Sequence, residues 1–273
     1  MRQRNKQFKD FRGEHADERR APSDRGDWVY GRRPVLEVVK SGKRHLYEAV
    51  LPPEGRDAPE VAELRGLLIA KGVPFKTLER EALDELCEGG NHQGVAVRTG
   101  GFPYISLEQV VHDVKEDANA LVLILDHIED PQNVGSLLRT ADAAGATAVL
   151  IPEDRASGVT ASAVRASAGA SEHVRVAKVV NLVRAMRELK ECGIWLTGLD
   201  LGPDAKTYTA VDFKGRVGLV VGSEGSGISR LVRETCDFIA CLPMKGRVGS
   251  LNAGVAGAIA MYEVVRQRAQ ASR

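Results

Sequence analysis

The sequence predicts an α/β protein built on a mostly parallel sheet, and three observations carry that prediction. Apolar runs recur through the second half of the chain, clearest in Leu121-Val122-Leu123-Ile124-Leu125 and Val217-Gly218-Leu219-Val220-Val221. They lack polar alternation, as strands buried on both faces do. Each is followed by a helical segment or a long crossover, which parallel neighbours require. Two runs end in glycine-rich loops, Gly222-Ser223-Glu224-Gly225-Ser226-Gly227 and, after Phe238 to Leu242, Lys245-Gly246-Arg247-Val248-Gly249. There the backbone can approach a ligand closely.

A chain of 273 residues has room for two domains. With 43% hydrophobic and 27% charged residues it can bury an ordinary core. The net charge of +1 selects no class of partner, so only local charge is informative. No apolar stretch reaches the ~18 residues of a membrane span, and the N-terminus lacks the apolar middle of a secretory signal. Cys87, Cys192, Cys236 and Cys241 show no metal-ligand spacing and read as reduced, mostly buried thiols of a cytoplasmic protein.

Residues 1–27 are polar, with Phe8 and Phe11 the only large apolar side chains, and are expected to be disordered. Arg2, Arg4, Lys6, Lys9 and Arg12 make this arm either a phosphate-touching segment or a solubilising tail. Residues 28–98 form a small α/β domain in this reading. A helix over Val35 to Val39 ends near Gly42, a strand Leu46–Leu51 stops at Pro52-Pro53, and a helix Val61–Lys71 ends at Gly72. A strand Pro74–Leu78, a helix Glu81–Cys87 and a turn Gly89 to Gly94 lead into a strand at Val95-Ala96-Val97. His92 in that turn is either structural or functional. Arg32, Arg33, Lys43 and Arg44 could hold a phosphate. Residues 99–119 read as a linker with one helix, Leu107–Val114.

The second domain, residues 120–273, opens with the strand Leu121–Asp126. A helix Val134–Ala144 follows, with Asn133 as its expected cap. Val134, Leu137, Leu138 and Ala141 share one face of it, and Arg139 points away from that face. Further strands are expected at Ala146–Ile151, within Glu172–Val180, at Ile194–Leu199 and at Phe238–Leu242. Helices are expected at Leu182–Glu191 and Ala253–Arg268, with a further one within Ser157–Ala168. The order Gly222-x-x-Gly225-x-Gly227 is not the dinucleotide fingerprint, and neither a P-loop nor a Gly-x-Ser-x-Gly elbow occurs.

Three pieces do cohere. Asn133-x-Gly135-x-x-x-Arg139, then Gly222-Ser223-Glu224-Gly225, then Leu242-Pro243-Met244 with Ser250-Leu251-Asn252-Ala253 resemble the three motifs of the SpoU (TrmH-like) RNA ribose 2′-O-methyltransferases of the SPOUT superfamily. Arg165 to His173 is similar to a further family segment. The resemblance covers residues 28–268 and points to the bacterial subgroup acting on guanosine of large-subunit ribosomal RNA. It implies a SPOUT-type parallel sheet with a C-terminal trefoil knot, and a small L30e-like N-terminal domain that binds substrate RNA. It implies S-adenosylmethionine as cofactor, with Gly222, Leu242, Met244 and Leu251 contacting it, and no metal. It implies a homodimer formed through the knot region, where the final helix is rich in alanine and glycine. Transfer RNA as substrate, or a non-catalytic ribosome assembly factor, are the alternatives.

Methyl transfer to a ribose needs in-line placement of a weakly nucleophilic hydroxyl and a destination for its proton. By the resemblance Arg139 is the base or its partner. A guanidinium is effectively always protonated, so the preferred role is to hold a substrate phosphate that shares the proton. Glu224, Ser250 and Asn252 would orient Arg139 and the ribose, Asn133 would hold the helix start or touch the same site, and Lys245 and Arg247 would face RNA phosphate.

Overall fold

The computed structural model describes residues 26–55, 58–247 and 249–271. The basic arm expected over residues 1–27 lies almost wholly outside them. Strand β1 (Asp27–Tyr30), helix α1 (Arg32–Ser41), β2 (Leu46–Val50), α2 (Pro59–Ala70), β3 (Phe75–Lys76), α3 (Arg80–Leu86) and β4 (Ala96–Thr99) form the N-terminal unit. Its four-stranded sheet runs in the order β1-β4-β2-β3. The presumed linker is ordered by packing. Ile105 N–H donates to Val176 O at 2.9 Å, and α4 (Leu107–Glu116) starts with a capping box of Ser106 and Gln109.

The larger unit continues with β5 (Leu121–Asp126), α5 (Pro131–Ala143), β6 (Ala148–Pro152), α6 (Ala161–Ala166), β7 (Val176–Val179), α7 (Leu182–Glu191), β8 (Trp195–Leu199) and β9 (Lys206–Thr207). It closes with β10 (Val217–Gly222), α8 (Arg230–Thr235), β11 (Phe238–Cys241) and α9 (Ala253–Ala271). Its seven strands lie in the order β7-β6-β5-β10-β8-β11-β9, and every pairing is parallel. All residues of β5, β6 and β10 are buried. A fully buried leucine there, such as Leu123, contributes about 2–3 kcal/mol of apolar transfer. Helices α5, α6 and α9 cover one face, while α4, α7 and α8 cover the other.

One expectation is corrected here. The α5 cap is Asp130, whose side chain accepts from Gln132 N–H at 2.9 Å, and Pro131 takes the first helical position. Asn133 therefore sits inside the first turn with its side chain free for other work. The helix expected within Ser157–Ala168 is confined to Ala161–Ala166, capped by Thr160. The apolar stripe of α5 is as expected, with Val134, Leu137, Leu138 and Ala141 fully buried.

Candidate active site

Chain order along the large sheet reverses at β5, which lies between β6 and β10. Crevices in open α/β sheets form at such a switch point, outside the carboxyl ends of the strands. Here Asp126 and Gly222 end β5 and β10 in register. A Cβ on Gly222 would lie 2.2 Å from Gly227 C and 2.5 Å from Ile228 N, so only glycine lets the following loop fold back over the strand end. Ser223 and Gly227 close that loop by reciprocal backbone bonds of 3.1 and 3.0 Å. The loop divides two crevices.

The first crevice, about 500 Å³, is bounded by residues 199–201, 221–227, 240–244 and 249–256. Gly222, Leu242, Met244, Ser250, Leu251 and Asn252 all line it. The second, about 950 Å³, lies between the ends of β5, β6 and β7 and the start of α8. Both share Glu224.

Glu224 is where the three sequence segments meet. Its Oε1 accepts from Asn133 Nδ2 at 3.0 Å, from Asn252 Nδ2, and from the Ala253 backbone N–H at 3.3 Å. Asn252 Nδ2 also donates to Asn133 Oδ1 at 2.8 Å. The Asn252 side chain does double duty, because its Oδ1 accepts from Val255 N–H at 3.1 Å in the first turn of α9. Glu224 Oε2 bonds no described residue and remains an available acceptor. The cluster thus ties the start of α5, the loop after β10 and the start of α9 into one acceptor-bearing corner.

Arg139 is not part of this corner. It is exposed on the solvent side of α5, lines neither crevice and bonds no described residue. Ser250 is exposed at the lip of the first crevice, and Lys245 and Arg247 are exposed in the loop before it. In the N-terminal unit His92 has a structural role. Its Nε2 pairs with Asp84 Oδ1 at 2.9 Å and its Nδ1 accepts from Gly94 N–H at 2.9 Å, so the ring clamps the turn. Lys43 and Arg44 are not free phosphate ligands, since both bond Glu172. Arg32 lies against Gln93, and Arg33 is exposed.

Sequence reasoning passed over Asp126 and His127. Buried Asp126 accepts from Ser229 N–H at 2.6 Å, pinning the loop after β10 to the end of β5. His127 Nδ1 lies 2.5 Å from Asp126 Oδ1, on a backbone with φ of 57°. Their position at a strand end was the signal that could have marked them.

Similarity to known proteins makes this fold and site those of an RNA methyltransferase. The profile of the SpoU rRNA Methylase family matches residues 120–262, and that of "RNA 2'-O ribose methyltransferase substrate binding" matches residues 28–104. The chain belongs to the SpoU rRNA methylase family. It is 41% identical over 249 residues to the TrmH family protein YacO of Bacillus subtilis, covering 90% of this chain and 98% of that one. It is 38% identical to a 23S rRNA (guanosine-2'-O-)-methyltransferase of Xylella fastidiosa, over 89% of this chain and 98% of that one. The SpoU methyltransferase AviRb of Streptomyces viridochromogenes, solved in complex with AdoMet, superposes with a TM-score of 0.72 at 25% identity, covering 89% of this chain and 90% of that one.

Proposed function

We propose that this protein transfers a methyl group from S-adenosylmethionine to the ribose 2′-hydroxyl of a guanosine in 23S ribosomal RNA, and that it does so as a homodimer. The observation that carries this reading is the Asn133–Glu224–Asn252 corner on the rim of the crevice lined by Gly222, Leu242, Met244 and Leu251. The lining suits the cofactor. Leu251 stands 38% exposed at the lip, an apolar side chain that a bound adenosyl group would cover, beside the open backbone of two loops. When bound, the cofactor supplies an electrophilic methyl on a sulfonium.

The chain's own residues do the rest. The three donors on Glu224 Oε1 fix the carboxylate, leaving Oε2 to hold the ribose hydroxyl. Ser250 supports the sugar from the opposite loop. Arg139 holds the neighbouring phosphate; as the hydroxyl oxygen takes the methyl and S-adenosylhomocysteine leaves, its single proton turns from Glu224 Oε2 to that phosphate. Since Arg139 lies outside both crevices of its own chain, the reading places it at the site of a second copy. Helix α9 supports such an assembly. Val255, Ile259 and Tyr262 are 48%, 36% and 51% exposed at helical spacing, an apolar stripe for a partner helix to cover. Strand β11 pairs with β8, whereas α9 packs on β10 and α5, so the chain returns across the sheet between them, as a knotted fold would require.

The direct test is transfer of a tritiated methyl group to unmodified large-subunit ribosomal RNA and to transfer RNA, followed by mapping of the 2′-O-methyl mark. Ribosomal RNA is expected to accept it at a guanosine. Transfer confined to transfer RNA, or to neither, overturns the assignment. Exchanging Lys245 and Arg247 for glutamine should weaken RNA binding and reduce the slope of log affinity against log salt by about 1–2. An unchanged slope would remove both residues from the RNA contact.

Cysteine chemistry gives an independent probe of the crevice. Burial pushes the Cys87 thiol up to about 11 and the Cys236 thiol up to about 12. At pH 8 only about one in ten thousand Cys236 side chains is then a thiolate, so alkylation there should be slow. Cys241, which lines the first crevice, is expected to label faster and to be protected by S-adenosylhomocysteine. Equal labelling of Cys241 with and without that ligand, followed by mass spectrometry, would move the cofactor elsewhere.

A further inference from the structure

The segment Arg165 to His173 takes no part in either crevice, yet it carries the most deeply buried ion pair in the described residues. Arg44 of the N-terminal unit donates through Nε to Glu172 Oε2 at 3.1 Å and pairs through Nη2 with Oε1, and the two side chains are 2% and 0% exposed. Lys43 Nζ donates to the Glu172 carbonyl oxygen at 2.6 Å, His173 Nε2 meets Glu37 Oε2 at 2.8 Å, and the Arg44 guanidinium lies over the Phe102 ring at 4.9 Å. Gly169, with φ of 87°, lets α1 approach so closely that a Cβ there would be 2.6 Å from Glu37 Cβ.

The other side of the segment rests on α5. A Cβ on Gly135 would lie 2.4 Å from Ala166 Cβ and 2.5 Å from Ala163 O, so α5 and α6 touch backbone to backbone two residues beyond Asn133. Buried Ser167 stiffens the connection, accepting from Ser171 N–H at 3.3 Å and donating to Val164 O at 2.8 Å. One compact segment thus grips the N-terminal unit on one side and the base of Asn133 on the other. Burying two charges between units is costly compared with apolar packing, so stability alone does not account for the pair.

We infer that the Arg44–Glu172 pair, with Lys43 beside it, is a positioning joint that sets the N-terminal unit at a fixed distance and angle from the Asn133–Glu224–Asn252 corner. RNA held by the first unit then presents its ribose at the second without a search. The inference rests on the functional reading above and on the match of residues 28–104 to the RNA 2'-O ribose methyltransferase substrate-binding family, by which the N-terminal unit grips RNA. Arg44, Glu172 and Lys43 touch no reacting atom and act through α5 and through the placement of RNA.

The test is single-turnover methyl transfer on ribosomal RNA at saturating cofactor, with RNA affinity measured separately, for Glu172→Gln and Lys43→Met. Lys43 is exposed, so its variant is expected to fold even where loss of the buried carboxylate destabilises the chain. Rates are taken per folded molecule, with the folded fraction read from thermal melts. Because misplacement by about 1 Å can cost two orders of magnitude, the maximal rate should fall by about tenfold or more in each variant, with RNA affinity changed less than about threefold. A merely structural role would lower the folded fraction and leave the rate per folded molecule unmoved, and that result overturns the joint. Absence of transfer by the unaltered protein overturns the functional reading, and the inference with it.

Discussion

Arg139→Ala is expected to lower the single-turnover rate of methyl transfer by about a thousandfold or more while the protein melts as before and binds cofactor as before. The separation follows from where the residue stands. Arg139 is exposed and bonds no described residue, so its removal should change stability by no more than about 0.5 kcal/mol. It does not line the crevice read as the cofactor site, so cofactor affinity should also hold. What would be lost is the cation proposed to hold the substrate phosphate. Lysine should rescue only in part, since it cannot offer the paired donors of a guanidinium. Mixing Arg139→Ala with Glu224→Ala chains tests the placement in a second copy. Random pairing makes half the dimers mixed, each with one intact site, so about a quarter of the unaltered activity should return. Near-normal activity of Arg139→Ala would remove it from the mechanism, and no recovery on mixing would remove the placement across subunits.

Much of the fold was legible in the sequence because its central elements are either apolar throughout or periodic. Leu121–Asp126 and Leu182–Glu191 match the expected bounds at both ends. The first is a run buried on both faces, and the second is an amphipathic helix with Asn181 as cap. Where the reading slipped, a local signal was outweighed by a neighbour. Asn133 is a good cap residue, but Asp130 followed by Pro131 starts the helix earlier. Strand β9 is two residues long and exists through pairing alone, which no periodicity can reveal, while β3 is only Phe75–Lys76 of the strand expected over Pro74–Leu78.

The site was legible in kind but not in arrangement. Motif spacing marked Asn133, Glu224 and Asn252 separately, and only folding shows two amides converging on one carboxylate oxygen across 91 and 28 residues. Helical periodicity turned Arg139 outward, and it is outward, but one chain's sequence cannot say what an outward arginine meets in an assembly. Arg44 looked like a phosphate ligand because its partner is 128 residues away and invisible to any local window. Long-range ion pairs are the part of a structure that sequence reading loses first.

Glu224→Gln should lower the maximal rate of methyl transfer by about a hundredfold, although it changes one atom. The carboxylate gathers three donors on Oε1 and offers Oε2 outward, which only a group with two acceptors can do. A glutamine must choose. With its oxygen toward Asn133, Asn252 and Ala253, it presents an NH₂ where the ribose hydroxyl needs an acceptor. With the amide flipped, its N–H groups face the donors already there, and the corner opens. Glu224 is exposed, so folding should lose no more than about 1–2 kcal/mol, and a melting curve separates that loss from the rate. Cofactor affinity, measured by calorimetry, distinguishes the two choices. It should hold if the amide keeps its oxygen inward, and fall if the loop from Ser223 to Gly227, shared by both crevices, comes free of α9. A Glu224→Gln protein that methylates at the unaltered rate would show that the second oxygen meets no ribose, and the corner would then be a cap for α9 and nothing more.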